Sequence, residues 1–155
     1  MLFRSDGTDV AYDGLVVATG ASARMLPASV CPSGLAGVHP LRTLADALAV
    51  RDALDASARV CVIGAGFIGA EVAAACRGRG LEVTVLEAQE QPMIRGLGAE
   101  LGAVCAGLHR DHGVDLRLGV TVTAVEGDGR VERVRLGDGS VVECDVVVVG
   151  IGVVP

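Results

Sequence analysis

Residues 60–88 read VCVIGAGFIGAEVAAACRGRGLEVTVLEA, and the reading of the first three glycines decides the fold. Arg59 to Ile63 is a largely β-branched apolar run, the pattern of a buried strand. Gly64-Ala65-Gly66 interrupts it, and Phe67 to Arg79 is rich in small helix-compatible residues until Gly80 supplies a C-terminal cap. Glu82 to Leu86 forms a second strand pattern, closed by Glu87, which stands 21 residues past Gly66. A glycine triplet of this spacing is weak on its own; between a strand and a helix, with an acid after the next strand, it is a dinucleotide fingerprint. Gly64 permits the sharp turn, Gly66 leaves room for a pyrophosphate, and Gly69 lets the helix lie close to the strand. The free N–H groups at the helix start then face the phosphates. Phe67 and Ile68 complete the loop and, by residue type, pack in the fold more than they touch a ligand. A carboxylate at Glu87 accepts ribose hydroxyls and repels a 2′-phosphate, and the first cation after it is Arg95, so NADH is favoured over NADPH. A bare tight turn without ligand is the plainer alternative, outweighed by strand, helix and acid together.

The pattern continues in both directions. Leu2–Arg4 and Asp9–Tyr12 flank Asp6-Gly7 and predict a hairpin. Leu15–Ala18 reads as a short buried strand ending at Thr19-Gly20, and residues 21–42, with Pro27, Pro32 and Pro40, read as a connecting segment. Thr43 caps a helix over Leu44–Leu54 with a stripe of Leu44, Ala47, Leu48 and Leu54. A helix over Ala99–His112 stops at Gly113, and Val114–Leu118 forms a third strand. Thr121–Glu126, Arg130–Leu136 and Val141–Glu143 then alternate with period two around Asp128-Gly129 and Asp138-Gly139, an antiparallel meander. Asp145–Val149 is a continuous β-branched run, the mark of a strand covered on both faces. The fold expected is α/β: a Rossmann-like parallel sheet with helices on both faces and an antiparallel three-strand β-meander.

Composition narrows the function. The 155 residues are 51% hydrophobic and 2% aromatic with net charge −6, which argues against nucleic-acid and anionic-membrane surfaces and against base stacking. All 13 cations are Arg, which removes any lysine nucleophile or Schiff base. Five cysteines without a C-x-x-C read as reduced cytoplasmic thiols, Cys61, Cys76 and Cys144 within or beside apolar patterns. No Cys/His spacing suits a metal, no Ser/His/Asp pairing is defensible, and His112 beside Gly113 reads as a partner for helix-end carbonyls. Arg77 and Arg79 read as solvated charges.

Taken together, YDGLVVATGASARMLP (12–27), GVHPLRTLADALAVRDAL (37–54), the glycine-loop stretch, PMIRGLGAELGAVCAGLHRDHGVDLRLG (92–119) and CDVVVVGIGVVP (144–155) resemble the central part of the flavin-dependent pyridine nucleotide-disulfide oxidoreductases, most of all their NADH-dependent ferredoxin (rubredoxin, putidaredoxin) reductase branch. The resemblance implies an FAD domain interrupted by an NAD domain: residues 1–42 an incomplete FAD-domain segment plus connector, 43–149 the NAD domain, 150–155 a return toward the FAD domain. It places Ala18, Thr19, Gly20 and Arg24 at the FAD. It adds Glu71 and Gly150-Ile151-Gly152 at the nicotinamide end of the NAD site formed by Gly64, Ala65, Gly66, Phe67, Ile68, Gly69 and Glu87. It implies hydride passing from NADH to FAD and electrons to a ferredoxin-like iron–sulfur protein, with no acid or base required in this lobe. The family's first glycine loop and everything after Pro155 are missing. The expectation is therefore a truncated piece, inactive alone, with exposed strand edges that promote association. An NADH oxidase, nitrite reductase or disulfide reductase is an alternative parent. A stand-alone redox-sensing module and a remnant that binds nothing are alternatives of another class.

Overall fold

The computed structural model describes the backbone of Leu2–Phe3 and all of Asp6–Pro155; Arg4 of the expected hairpin lies outside the described residues. In chain order the strands are β1 (Leu2–Phe3), β2 (Asp9–Val10), β3 (Ser22–Ala23), β4 (Val38–Pro40), β5 (Arg59–Ile63), β6 (Glu82–Leu86), β7 (Asp115–Arg117), β8 (Val122–Glu126), β9 (Arg133–Leu136), β10 (Val141–Glu143), β11 (Val146–Val149) and β12 (Val153–Val154). The helices are α1 (Leu44–Asp55) before β5, α2 (Phe67–Gly78) before β6 and α3 (Ile94–Asp111) before β7.

The centre is a five-stranded parallel sheet in the order β4-β11-β5-β6-β7. Because side chains alternate along a strand, β5 sends Val60 and Val62 to one face and Cys61 and Ile63 to the other. On the first face Val50 and Leu54 of α1, Val72, Ala73 and Cys76 of α2, and Ala106 of α3 share one core with the sheet. On the second, Val125, Val134, Leu136 and Val142 of the meander β10-β9-β8 pack on Cys61, Ile63, Leu86, Val147 and Val149. The parallel sheet and the meander are thus as expected, but the helices cover one face only. The connection from β7 to β11 is the meander instead of a helix, and it takes the opposite face. The connecting segment packs on that meander as well, through Val125 N to Val30 O at 2.7 Å and Val131 N to Ala36 O at 2.9 Å.

Carboxylates set two of the element boundaries. Thr43 Oγ1 accepts from Asp46 N at 3.2 Å and Asp46 Oδ2 accepts from Thr43 N at 2.8 Å, a reciprocal cap at the start of α1. Asp145, just ahead of β11, accepts from Arg59 N at 2.9 Å and from Arg59 Nη2 at 2.7 Å, which ties the start of β11 to the start of β5. These bonds hold its carboxyl down to a pKa of about 2. Helix α3 begins earlier than Ala99, with a turn from Ile94 that Gly98 breaks at φ +78° before the helix proper.

A further expectation is overturned. Leu15–Ala18 is not a buried strand: Val16 is 87% and Val17 76% exposed, and no strand is assigned there. An apolar run becomes a strand only when a neighbour completes its hydrogen bonds and a second layer covers it, and no such neighbour stands beside it among the described residues.

Candidate functional site

The carboxyl ends of β5, β6 and β11 meet around a cavity of about 520 Å³, a size typical of small-molecule sites. Gly64 turns the chain from β5 into α2 at φ +102°, and a Cβ there would collide with the Gly150 carbonyl oxygen. A Cβ on Gly69 would lie against the Gly64 carbonyl, so only glycine allows helix and strand this close. Gly66 differs: a Cβ there would meet nothing within 4 Å and would project into open space. Gly66 also starts α2, and no side chain caps the first helical turn. The loop thus offers backbone donors and the positive end of a helix dipole beside free volume, which fits a pyrophosphate.

Glu87 is held at the edge of this loop. Its Oε2 accepts from Ala65 N at 2.7 Å and its Oε1 from Gln89 N at 2.8 Å. Charge-assisted bonds of this length fix the carboxylate before any ligand arrives, and each oxygen keeps a second lone pair for a hydroxyl. Gly64, Gly66, Phe67, Ile68, Glu87, Gly150, Ile151 and Gly152 all line the cavity. Ala65 and Gly69 are buried behind the loop, while Glu71 is exposed further along α2 and does not line it. Phe67 is 55% exposed, with its ring over Gly96, where a Cβ would approach it to 2.7 Å.

The wall from Ala88 to Arg95 was not read from the sequence. Its anchor is Met93, in the left-handed region at φ +52°, whose N–H reaches the Ala65 carbonyl at 2.8 Å. Arg95, exposed, completes the mouth of the cavity. The only signal for this wall was that Arg95 is the first cation after Glu87.

Ala18, Thr19 and Gly20 lie outside the cavity and are exposed. The chain just after them joins the site through backbone: β3 pairs antiparallel with β12, and Arg24 N donates to Gly152 O at 2.9 Å. The segments assigned to two cofactors therefore share one ladder. Elsewhere Arg77 is bound instead of solvated, with Nε donating to His112 O at 3.0 Å and Nη1 to Leu81 O at 2.6 Å. Arg79 pairs with Asp55 at 2.9 Å. His112 Nδ1 lies 2.8 Å from Leu108 O, the helix-end role expected of it. The five cysteines are free, and among the described residues there is no group of three or more metal-ligating side chains and no helix long and apolar enough to cross a membrane.

A parallel sheet that presents a glycine loop and an oriented acid at the carboxyl ends of its strands defines a dinucleotide-binding lobe. The chain belongs to the pyridine nucleotide-disulphide oxidoreductase family, whose profile matches residues 2–155. It is 46% identical over 151 residues to the rhodocoxin reductase of Rhodococcus erythropolis, covering 97% of this chain and 35% of that protein. Among solved structures it resembles a ferredoxin reductase of Rhodopseudomonas palustris, with TM-score 0.85 and 41% identity over 97% of this chain and 37% of that one. It also resembles the covalent putidaredoxin reductase–putidaredoxin complex, with TM-score 0.83 and 38% identity over 99% of this chain and 38% of that one. The chain spans little more than a third of the length of such relatives.

Proposed function

We propose that residues 43–149 are the NADH-binding lobe of an FAD-dependent reductase that delivers electrons to a ferredoxin-type iron–sulfur protein. Residues 1–42 are then a flavin-domain segment with its connector, and residues 150–155 the return toward it. The observation that carries this reading is Glu87, fixed by Ala65 N and Gln89 N beside a loop whose Gly66 faces open volume.

The residues have separable tasks. Gly66 and the start of α2 receive the pyrophosphate. Glu87 accepts the adenosine ribose hydroxyls and repels a 2′-phosphate, while Arg95 stands at the mouth as a counter-charge. Gly150-Ile151-Gly152 floors the nicotinamide end, and Glu71 is assigned to that end from outside the cavity walls. Ala18, Thr19, Gly20 (φ +76°) and Arg24 offer exposed backbone and a cation to the flavin. When bound, the nicotinamide would supply a hydride, and the flavin would take up its two electrons and proton, to pass the electrons on singly and release the proton to solvent. The chain itself orients and excludes water, with no proton transfer demanded of its side chains. The iron–sulfur partner is supported by the relatives, which are named as reductases of such proteins. A cytoplasmic setting is supported by the five free thiols.

The test is a parallel titration with NADH and NADPH, followed by reduced-nicotinamide fluorescence. Saturable NADH binding, at least about tenfold tighter than NADPH (~1.4 kcal/mol), is expected. Equal affinity for both would remove Glu87 as selector, and binding of neither would sink the assignment of this lobe.

A further inference from the structure

A second cavity of about 460 Å³ opens between α2 and α3 and shares only Met93 with the dinucleotide cavity. Small side chains on α2, Ala74 and Gly78, leave a slot that Leu108 and Val114 close with apolar surface. A Cβ on Gly78 would meet nothing within 4 Å, so the slot has room on that side. Three nitrogen-bearing groups, Arg77, His109 and His112, stand around it. The chain carries 19 acids, yet none of them lines this cavity.

The cationic side of the slot is rigid. Arg77 is pinned by two carbonyls, His112 O at 3.0 Å and Leu81 O at 2.6 Å, so its planar fork is held in place while a guanidinium retains further donors. His112 is fixed through Nδ1 to Leu108 O at 2.8 Å. His109 is half-buried, and burial together with neighbouring His112 lowers its pKa, leaving Arg77 as the permanent charge. A fixed guanidinium at the edge of an apolar slot is complementary to a carboxylate on an apolar body.

We propose that the α2–α3 slot is a second ligand site, for a small apolar monocarboxylate whose body lies on Ala74, Gly78, Leu108 and Val114 and whose charge meets Arg77. The site is independent of the dinucleotide reading, and either can fail without the other.

The probe is 2-naphthoate, added to the isotope-labelled 155-residue chain and followed through amide resonances. One saturable site is expected, with shifts confined to Met93 and residues 74–78 and 105–114, and saturating NADH does not displace it. Ala74→Phe fills the slot from an exposed helical position, and Leu108→Glu places a carboxylate at its rim; each is expected to weaken binding at least about tenfold. The neutral 2-naphthamide is expected to bind at least about fivefold more weakly than the acid. Shifts centred on residues 63–69 or 14–18, unchanged affinity in both variants, equal binding of the amide, or no saturable change would each overturn the proposal.

Discussion

Gly64 and Gly66 stand two residues apart in one loop, yet the same substitution has opposite consequences at the two. A methyl on Gly64 meets the Gly150 carbonyl and a φ of +102°, so Gly64→Ala is expected to cost about 2 kcal/mol or more. That corresponds to a Tm lower by roughly 4–8 °C in a thermal melt. A methyl on Gly66 meets nothing in the protein. Gly66→Ala should therefore cost less stability than Gly64→Ala, no more than the about 1 kcal/mol of alanine at a helix N-cap, and weaken NADH by about tenfold or more, because it occupies the volume assigned to the pyrophosphate. A fall in Tm for Gly66→Ala as large as that for Gly64→Ala, or undiminished NADH binding, would contradict that assignment. Glu87→Ala removes the selector: NADPH should approach NADH in affinity in the paired titration, while loss of both equally would make Glu87 a structural residue. The glycines were legible because each strand–turn–helix boundary carries its own chemistry. Met93 was not, since nothing in a methionine announces positive φ, and with it the wall from Ala88 to Arg95 stayed hidden.

Among elements, caps and cross-strand carboxylates carry measurable weight. Thr43→Ala removes one half of the reciprocal cap on α1 and should cost about 1 kcal/mol, with NADH affinity unchanged because no residue of α1 lines the dinucleotide cavity. Acid stability has a defined sign. Asp145 is held at about 2 by Arg59, and Glu126 at about 2 by Arg135 and Arg133, against ordinary values of 3.8 and 4.5. The unfolded chain therefore takes up protons at these sites before the folded one does. Their stabilisation is complete above about pH 5 and is lost as pH falls toward 2. Asp145→Asn should flatten the fall of Tm between pH 5 and 2, and an unchanged slope would mean that the Arg59 contact is not maintained in solution. Element type and most boundaries were readable, because period-two alternation in the meander and Asp-Gly turns are local signals. The side on which each helix packs was not, since periodicity identifies an apolar stripe but not the face of the sheet that receives it.

At the scale of the molecule, the strand misread at Leu15–Ala18 carries its own prediction. Val16 and Val17 are more than three-quarters exposed, and an apolar stretch of that kind invites pairing with another chain. Sedimentation should show concentration-dependent association of the chain, relieved by Val16→Asp with Val17→Asp; an unaltered profile would place the contact elsewhere. The apolar run reads the same whether or not its neighbours are present, and local sequence could not report the difference. The ribbon formed by β3 and β12 has a wider consequence. Ser22 faces Val154 and Ala23 faces Val153, so the polypeptide reaches the sheet, the helices and the meander and leaves them again through one antiparallel stem two residues wide. The two ends of residues 24–152 therefore stand side by side, and exchanging that stretch at the stem between related chains is expected to carry with it the nucleotide preference proposed for Glu87.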